Sequence, residues 1–464
     1  MWRIVGFLVA VELASGVLQG YYTPVYTDIA RHLDIRDADV NWFEAAQLVV
    51  SALCVPLLAR LGDLWGHRRV LLLSTAVTAL GSWIVAVAPS FPTFLAGWAI
   101  QGAYVVWLPL EIAIVHRRAA GTGRQDRLTR RAAAVLVAAL EGGVIAGALT
   151  SGAIAGATSI TVLLMLPAIA VTVCFAVIWF GIEDVPGTSR GGVDLAGLGL
   201  VTLVLGLVMA GLITMRLAGA GSVLAWVLVA AGLAAGVPFV RVERARPEPL
   251  VDVRLLAHPG QWPVHLTAFL FGMSVLGAQI PLSTFARTDP AVTGYGLGAG
   301  AGFVSVLVGL YVIAILVGAL LLPLVARLLG SRGALVAGAV TVAAGYALFL
   351  PFHGSTVQAV VNMAVAGLGS GVLVAALPAT AAAAAPPDRT GFATGMTNAA
   401  KTVGGAVASA VFAIALTATG SATTAHAPLA GYLTVWAVCA AAALAAAAAL
   451  ALVRPPAPAA VPHG

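Results

Sequence analysis

Apolar segments of membrane-spanning length recur along this chain and constrain its fold more than any other feature. A transmembrane helix needs about 20 mainly apolar residues. Fourteen such stretches occur, called spans 1 to 14: 4–26, 41–60, 69–88, 92–115, 132–155, 160–182, 194–216, 222–241, 263–285, 299–325, 333–352, 356–380, 390–418 and 429–453. Only 9% of the residues are charged, against roughly 25% in soluble domains. The sequence therefore predicts an all-α integral membrane protein.

Charged residues between the spans predict the orientation. The segments that follow spans 2, 4, 8 and 10 are rich in arginine, whereas the segment after span 1 is net acidic, with Asp28, Asp34, Asp37 and Asp39. The positive-inside rule then places both termini in the cytoplasm. We expect a multi-pass protein of a bacterial inner (plasma) membrane. The net charge of +6 lies in these scattered segments, so nucleic acid is not an expected partner.

A polar motif joins spans 2 and 3. It reads Ala59-Arg60-Leu61-Gly62-Asp63-Leu64-Trp65-Gly66-His67-Arg68-Arg69. The segment resembles the loop signature of the major facilitator superfamily, usually Gly-x-Leu-Ala-Asp-Arg-x-Gly-Arg-Arg, with matches at Asp63, Gly66, Arg68 and Arg69. A carboxylate here can bond a helix N-terminus or pair with an arginine across a domain interface. We expect these four residues to form a conformational latch; a merely positive cytoplasmic turn is the alternative.

Further segments resemble the 14-helix drug:proton antiporter family of that superfamily, from Trp42 to about Gly405. They are Trp42 and Pro56, Gln101-Gly102 and Pro109, residues 239–244 and 249–255, and residues 391–398 with Lys401 and Gly404-Gly405. The resemblance implies the major facilitator fold, with two pseudo-symmetric six-helix domains at 1–182 and 263–453. Two inserted transmembrane helices would occupy the linker 183–262. The Pro/Ala-rich tail 454–464 is expected to be disordered.

The chain departs from the family pattern at functional positions. Trp98 stands where span 4 usually has Arg, and Leu18 lies near the position of an Asp in span 1. In span 5, Ala148 replaces a Pro and Ser151 a Gly, while Gly143, Gly147 and Gly152 remain. Small residues at this spacing allow close helix packing.

Three glutamates interrupt the apolar spans. Glu12, Glu141 and Glu111 lie in spans 1, 5 and 4, which border the central cavity of the resembled fold. A carboxylate in hydrocarbon is costly unless it faces water, has a partner or binds a proton. We expect these residues to carry the coupling proton, with Glu12 and Glu141 at similar depth and Glu111 shallower. Alternatives are hydrogen bonds to nearby backbone groups, direct binding of a cationic substrate, or for Glu111 a snorkelling side chain or a pairing with His116 or Arg117.

Other polar and aromatic residues are candidate substrate contacts. Trp98, Trp107, Gln101 and Tyr22 are expected at the substrate cavity, where aromatic rings could contact a cation. Lys401, the only lysine, lies about ten residues into span 13. It could pair across the domain interface or attract an anionic substrate group. Glu44, at the outer end of span 2, is expected at the membrane interface.

The sequence shows no motif for a metal or other cofactor, and no catalytic constellation. The P-loop-like stretch 395–402 lacks the second glycine and lies within span 13, so it does not indicate nucleotide binding. We expect a proton-coupled exporter of lipophilic, cationic or antibiotic small molecules that works as a monomer in the bilayer, not an enzyme. A proton-coupled importer or uniporter, and a non-transporting membrane sensor, are the alternatives.

Overall fold

Helices account for all regular structure in the computed structural model, which describes residues 5–119, 125–183, 192–246, 249–386, 389–417 and 426–452, without the side chains of residues 126, 127, 130, 390 and 391. The long helices carry the numbers of the predicted spans. They are α1 Leu8–Tyr21, α2 Asn41–Trp65, α3 His67–Val87, α4 Phe91–Arg118, α5 Gln125–Ile154, α6 Ile160–Gly181, α7 Leu195–Ala218, α8 Val223–Ala245, α9 Trp262–Arg287, α10 with α11 Ala301–Leu348, α12 Thr356–Ala383, α13 Thr390–Ala415 and α14 Leu429–Leu452. Short helices lie at Tyr26–His32, Val253–Leu256 and Pro290–Thr293.

Two long helices are interrupted by special residues. The helix Ala301–Leu348 breaks at Gly330, whose φ of 75° and ψ of 166° are not helical. Residues 301–329 (α10) and 331–348 (α11) are therefore two separate helices. A single straight helix of 48 residues would measure about 72 Å, more than twice the thickness of the membrane core. In α4 a 3₁₀ turn at Gly102–Val106 precedes Pro109, whose ring cannot donate the helical hydrogen bond.

The helices agree closely with the predicted spans, but their number stays a prediction. Among the described residues, twelve helices are long and apolar enough to cross a membrane when Ala301–Leu348 is counted once. Helix α1 is shorter, with 14 residues, because a 3₁₀ turn at Thr23–Val25 interrupts span 1. Counting α1, α10 and α11 separately gives the predicted fourteen. The tail 454–464 lies outside the described residues.

Each half of the chain has its own hydrophobic core. Phe94 and Trp107 are among the buried side chains of the first half, and Phe271 and Trp436 among those of the second. Helices α7 and α8 belong to neither core, because only 17% and 11% of the apolar stretch in each helix is buried. A small third cluster, including Trp42, connects them to α2 and α13.

Glycine contacts repeat between the halves and give evidence of their pseudo-symmetry. A Cβ on Gly16 of α1 would collide with the carbonyl of Leu140 of α5, and one on Gly143 with that of Leu13. In the second half, a Cβ on Gly272 of α9 would collide with the carbonyl of Lys401 of α13, and one on Gly404 with that of Phe269. The same reciprocal contact thus joins α1 to α5 and α9 to α13, so these helix pairs occupy equivalent places.

Candidate functional site

Ionic and hydrogen-bonded contacts join the two halves at one end of the bundle. We call this end, which carries residues 27–40, the acidic side, and the opposite end, which carries residues 60–69, the basic side. Arg287 of α9 donates to Asp28 over 2.8 Å, and the ring of His426 lies 3.1 Å from the Asp37 carboxylate. The Ser283 hydroxyl donates to the carbonyl of Thr23 over 2.5 Å. These contacts hold the halves together at the acidic side.

A related ion pair connects the inserted helices to this closure. Arg216, in the last turn of α7, donates to Asp39 over 2.6 Å. Its guanidinium also lies 6.0 Å from the centre of the Trp42 ring and 5.9 Å from that of Phe91. Cation–π contacts of this kind add to the ion pair. The α7–α8 pair is therefore anchored on the first half at the acidic side.

Glu12 and Glu111 form a buried pair of carboxyl groups. Both residues are 0% exposed, and their side chains lie within hydrogen-bonding reach of each other. Within the described part of the chain, none of their four oxygens accepts a hydrogen bond from a conventional donor. Two ionised carboxylates in such contact would repel each other strongly, whereas one shared proton gives a hydrogen bond. The pair is therefore suited to hold a single proton.

The surroundings of this pair lie within the first half. Cys174 of α6 is close enough to both carboxyl groups for electrostatic interaction. Tyr104, in the 3₁₀ turn of α4, is close to Glu12 on one side and to Glu44 on the other. Glu44 is half-buried and also near Tyr26, so it faces the interior of the first half more than sequence reasoning expected.

The third candidate, Glu141, lies apart from the other two. It is half-buried on α5 and interacts electrostatically with Lys401 of α13 and with Tyr311 of α10. Both partners belong to the second half. The three glutamates are therefore divided between two places: Glu12 with Glu111 inside the first half, and Glu141 at the junction of the halves.

The four candidate substrate contacts are buried within the first half. Tyr22, Trp98, Gln101 and Trp107 are each at most 2% exposed. The Gln101 amide donates to the hydroxyl oxygens of Tyr22 and Ser82, and the Trp107 indole donates to Ser74 of α3. In this conformation all four pack inside the first half, so the expected substrate contacts lack support.

The molecule is a helical membrane protein of two halves, with buried acidic residues and a junction that is closed at one end. A model of the Major Facilitator Superfamily matches residues 8–409 and 265–464. The chain belongs to the major facilitator superfamily. It is accordingly a multi-pass membrane transporter of small molecules, as the resemblance of its motifs predicted, and not an enzyme.

Named relatives include one exporter and several transporters of other substrates. The chain is 30% identical over 412 residues to the cephamycin export protein of Amycolatopsis lactamdurans, covering 86% of this chain and 81% of that one. It is 22% identical to a uridine/deoxyuridine transporter of Lactococcus lactis, covering 65% and 63%. An auto-inhibited POT family peptide transporter superposes with a TM-score of 0.71 at 16% identity, over 97% of both chains. The nucleoside transporter NupG gives 0.65 at 13% identity, over 98% and 99%.

The superfamily loop motif makes its described contacts within the first half. Asp63 lies 3.4 Å from the ring of His67, one turn along. Arg68 donates to the carbonyl of Trp179 in α6, which belongs to the same half. Gly66 has a φ of 102° and makes the turn that glycine adopts most readily. In this conformation the recorded contacts of the latch stay within the first half; Arg69 has further contacts.

The span 5 glycines lie where the helix meets its neighbours. Gly143 contacts α1 as described above, and a Cβ on Gly147 would lie 3.0 Å from the Cα of Val17. A Cβ on Gly152 would collide with the hydroxyl of Ser305 in α10. Gly143 and Gly147 thus pack α5 within the first half, whereas Gly152 packs it against the second.

Sequence reasoning missed the residues that close the acidic side. Neither Arg287 nor His426 belongs to a motif, because each is a lone polar residue near the end of an apolar span. A signal was nevertheless present, since the predicted topology places both on the side of the acidic segment 27–40. Oppositely charged groups at one end of a bundle could have been matched on that ground.

Proposed function

We propose that this transporter is a proton-coupled exporter of lipophilic small molecules, including cationic compounds and antibiotics, and that it works by alternating access. The observation that carries the proposal is the buried Glu12–Glu111 pair, which has the chemistry of a one-proton site. Export is supported by the likeness to a cephamycin exporter. With the usual Arg and Asp of the antiporter pattern replaced by Trp98 and Leu18, another group has to carry the proton.

The proposed direction of transport also rests on the charge of the segments between helices. If the basic side is cytoplasmic, the acidic side faces outwards and its closure makes this conformation inward-facing. Substrate would then enter from the cytoplasm or the inner leaflet. In a bacterial plasma membrane, a proton bound from outside would drive the return of the empty carrier, as an antiporter requires.

Electrostatic repulsion within the Glu12–Glu111 pair can couple proton release to a movement of helices. Loss of the shared proton leaves two carboxylates in contact in a low-dielectric interior, which is strongly unfavourable. Helices α1 and α4 relieve this repulsion if they separate. Because α1 packs directly on α5 through Gly16 and Gly143, such a movement would reach Glu141 and the junction of the halves. Proton release and the change of access are thereby linked.

Transport into proteoliposomes tests the proposal, with a labelled cephalosporin outside. An antiporter accumulates it when the lumen is acidic, because protons leave as substrate enters. A proton-coupled importer accumulates it only when the outside is acidic, a uniporter equilibrates it under either gradient, and a sensor shows no flux. We expect accumulation with an acidic lumen.

Variants of Glu12 and Glu111 test whether this pair carries the coupling proton. Glu12→Gln and Glu111→Gln should each abolish gradient-driven accumulation. Glu243→Gln is the matched control, since Glu243 is also a buried glutamate in a long helix but lies on α8, where it accepts a hydrogen bond from the amide of Val251. Wild-type accumulation by both Glu12→Gln and Glu111→Gln would refute the assignment.

A further inference from the structure

One face of α5 runs along α10, and the spacing between the two helices increases away from the acidic side. Near that side, Gly152 is in collision range of Ser305. Seven residues earlier, Ile145 lies 3.9 Å from where a Cβ on Gly309 would be. Glu141 lies one further turn towards the basic side, on the same face by helical spacing. From Gly152 to Glu141 is about 16 Å along the helix, so Glu141 lies in the wider part of this junction.

Lys401 lies within electrostatic range of Glu141, and the two do not form a salt bridge. The described residues include no salt bridge or side-chain hydrogen bond for either. Both residues are half-buried, so both charges are partly removed from water. Tyr311, also near Glu141, is already engaged, since its hydroxyl lies 3.2 Å from that of Ser370. The junction thus presents one acid and one base, neither of which has a salt bridge or side-chain hydrogen bond among the described residues.

A ligand that carries one positive and one negative group can pair with both residues at once. A cation bound at Glu141 leaves the positive charge of Lys401 without a partner. An anion bound at Lys401 likewise leaves the negative charge of Glu141 without one. Unpartnered charges away from bulk water are costly. A molecule that carries both charges, with an apolar body between the helices, avoids either cost.

We propose that the Glu141–Lys401 junction binds a zwitterionic substrate, with its ammonium group at Glu141 and its carboxylate at Lys401. This inference rests on the proposed transport function and narrows its substrate class from cationic compounds to molecules bearing both charges. It assigns the proton and the substrate to different glutamates: Glu12 with Glu111 hold the proton, and Glu141 holds the substrate.

Three cephalosporins that differ only in charge test the inference by binding to the purified protein. The zwitterion has a free amine and a free carboxylate, the N-acetyl derivative is an anion, and the carboxylate methyl ester is a cation. We expect wild-type protein to bind the zwitterion at least about tenfold more tightly than either derivative. Lys401→Gln should bind the zwitterion no better than the ester, and Glu141→Gln no better than the N-acetyl compound. Lys401→Arg should restore the preference.

The outcomes distinguish this inference from the proposed function. Glu12→Gln should lose pH-driven transport yet keep the wild-type ranking of the three compounds. Absence of pH-driven transport in wild type, with the zwitterion still preferred, would refute proton coupling alone. Equal binding of ester and zwitterion by wild type, or binding of neither, would overturn the zwitterion site. So would an equal loss of all three compounds in Lys401→Gln, because that result indicates a structural role.

Discussion

The Asp28–Arg287 ion pair should set how firmly the acidic side is closed. Its two polar atoms are 2.8 Å apart, and the side chains are 29% and 12% exposed. A hydrogen bond between charged groups contributes about 1.5–3 kcal/mol, and a fully exposed pair about 0.2–1 kcal/mol. This partly exposed pair should contribute about 1–2 kcal/mol to closure. Asp28→Asn should therefore raise the ratio of open to closed molecules by about 5- to 30-fold.

Distances between spin labels measure that ratio. Thr158→Cys and Val292→Cys place labels on exposed positions of the two halves at the acidic side, in a protein with Cys54→Ala. Double electron–electron resonance then resolves the closed and open populations. Asp28→Asn should increase the longer distances, and so should Arg287→Gln.

A neighbouring arginine provides the matched control. Arg31 lies 3.7 Å from the same Asp28 carboxylate but is 64% exposed, so Arg31→Gln should change the populations little. The double variant Asp28→Asn with Arg287→Gln should resemble either single variant, since both remove one interaction. Fully additive effects, or an Arg31→Gln effect as large as that of Arg287→Gln, would refute the role assigned to this pair.

Two further predictions concern pH and helix packing. Hydrogen bonding to Asp37 raises the pKa of His426 above its ordinary value, so the closed conformation binds that proton more tightly; closure should be favoured below about pH 6.5 and weaken as the pH rises through the raised pKa, as spin-label distances would show. His426→Gln should flatten this dependence, and an unchanged dependence would exclude His426 as its source. Gly143→Ala should lower the thermal midpoint in detergent, with a cost of about 1–3 kcal/mol, because its Cβ would meet the carbonyl of Leu13. Gly142→Ala, with nothing within 4 Å, should be tolerated; equal midpoints would contradict the packing argument.

Position along the membrane normal could be predicted from the sequence, whereas contacts around each helix could not. The predicted spans lie within a few residues of most helices, because hydropathy and charge fix where a segment enters and leaves the bilayer. The exception is span 1. Its apolar pattern continues through Pro24, but the chain makes a 3₁₀ turn there.

The grouping of the glutamates shows the same limit. Glu111 was expected to be shallower than Glu12 because predicted span 4 ends at residue 115, whereas the helix continues to Arg118. Three more residues add about 4.5 Å, which brings Glu111 to the depth of Glu12. Which acid then meets which depends on helix rotation and on the close α1–α5 contact, and a single sequence carries little information about either. The same reason explains why Trp98 and Trp107 are packed inside the first half.

Infrared difference spectroscopy of the protonated carboxyl band is the most direct test of the central claim that Glu12 and Glu111 share the transported proton. Substrate is added to the purified protein in lipid, and the carbonyl stretch of a carboxylic acid is followed. Substrate binding should decrease this band in wild type and in Glu243→Gln. Glu12→Gln and Glu111→Gln should each lose the change. An unaltered band change in both variants would show that the proton resides elsewhere.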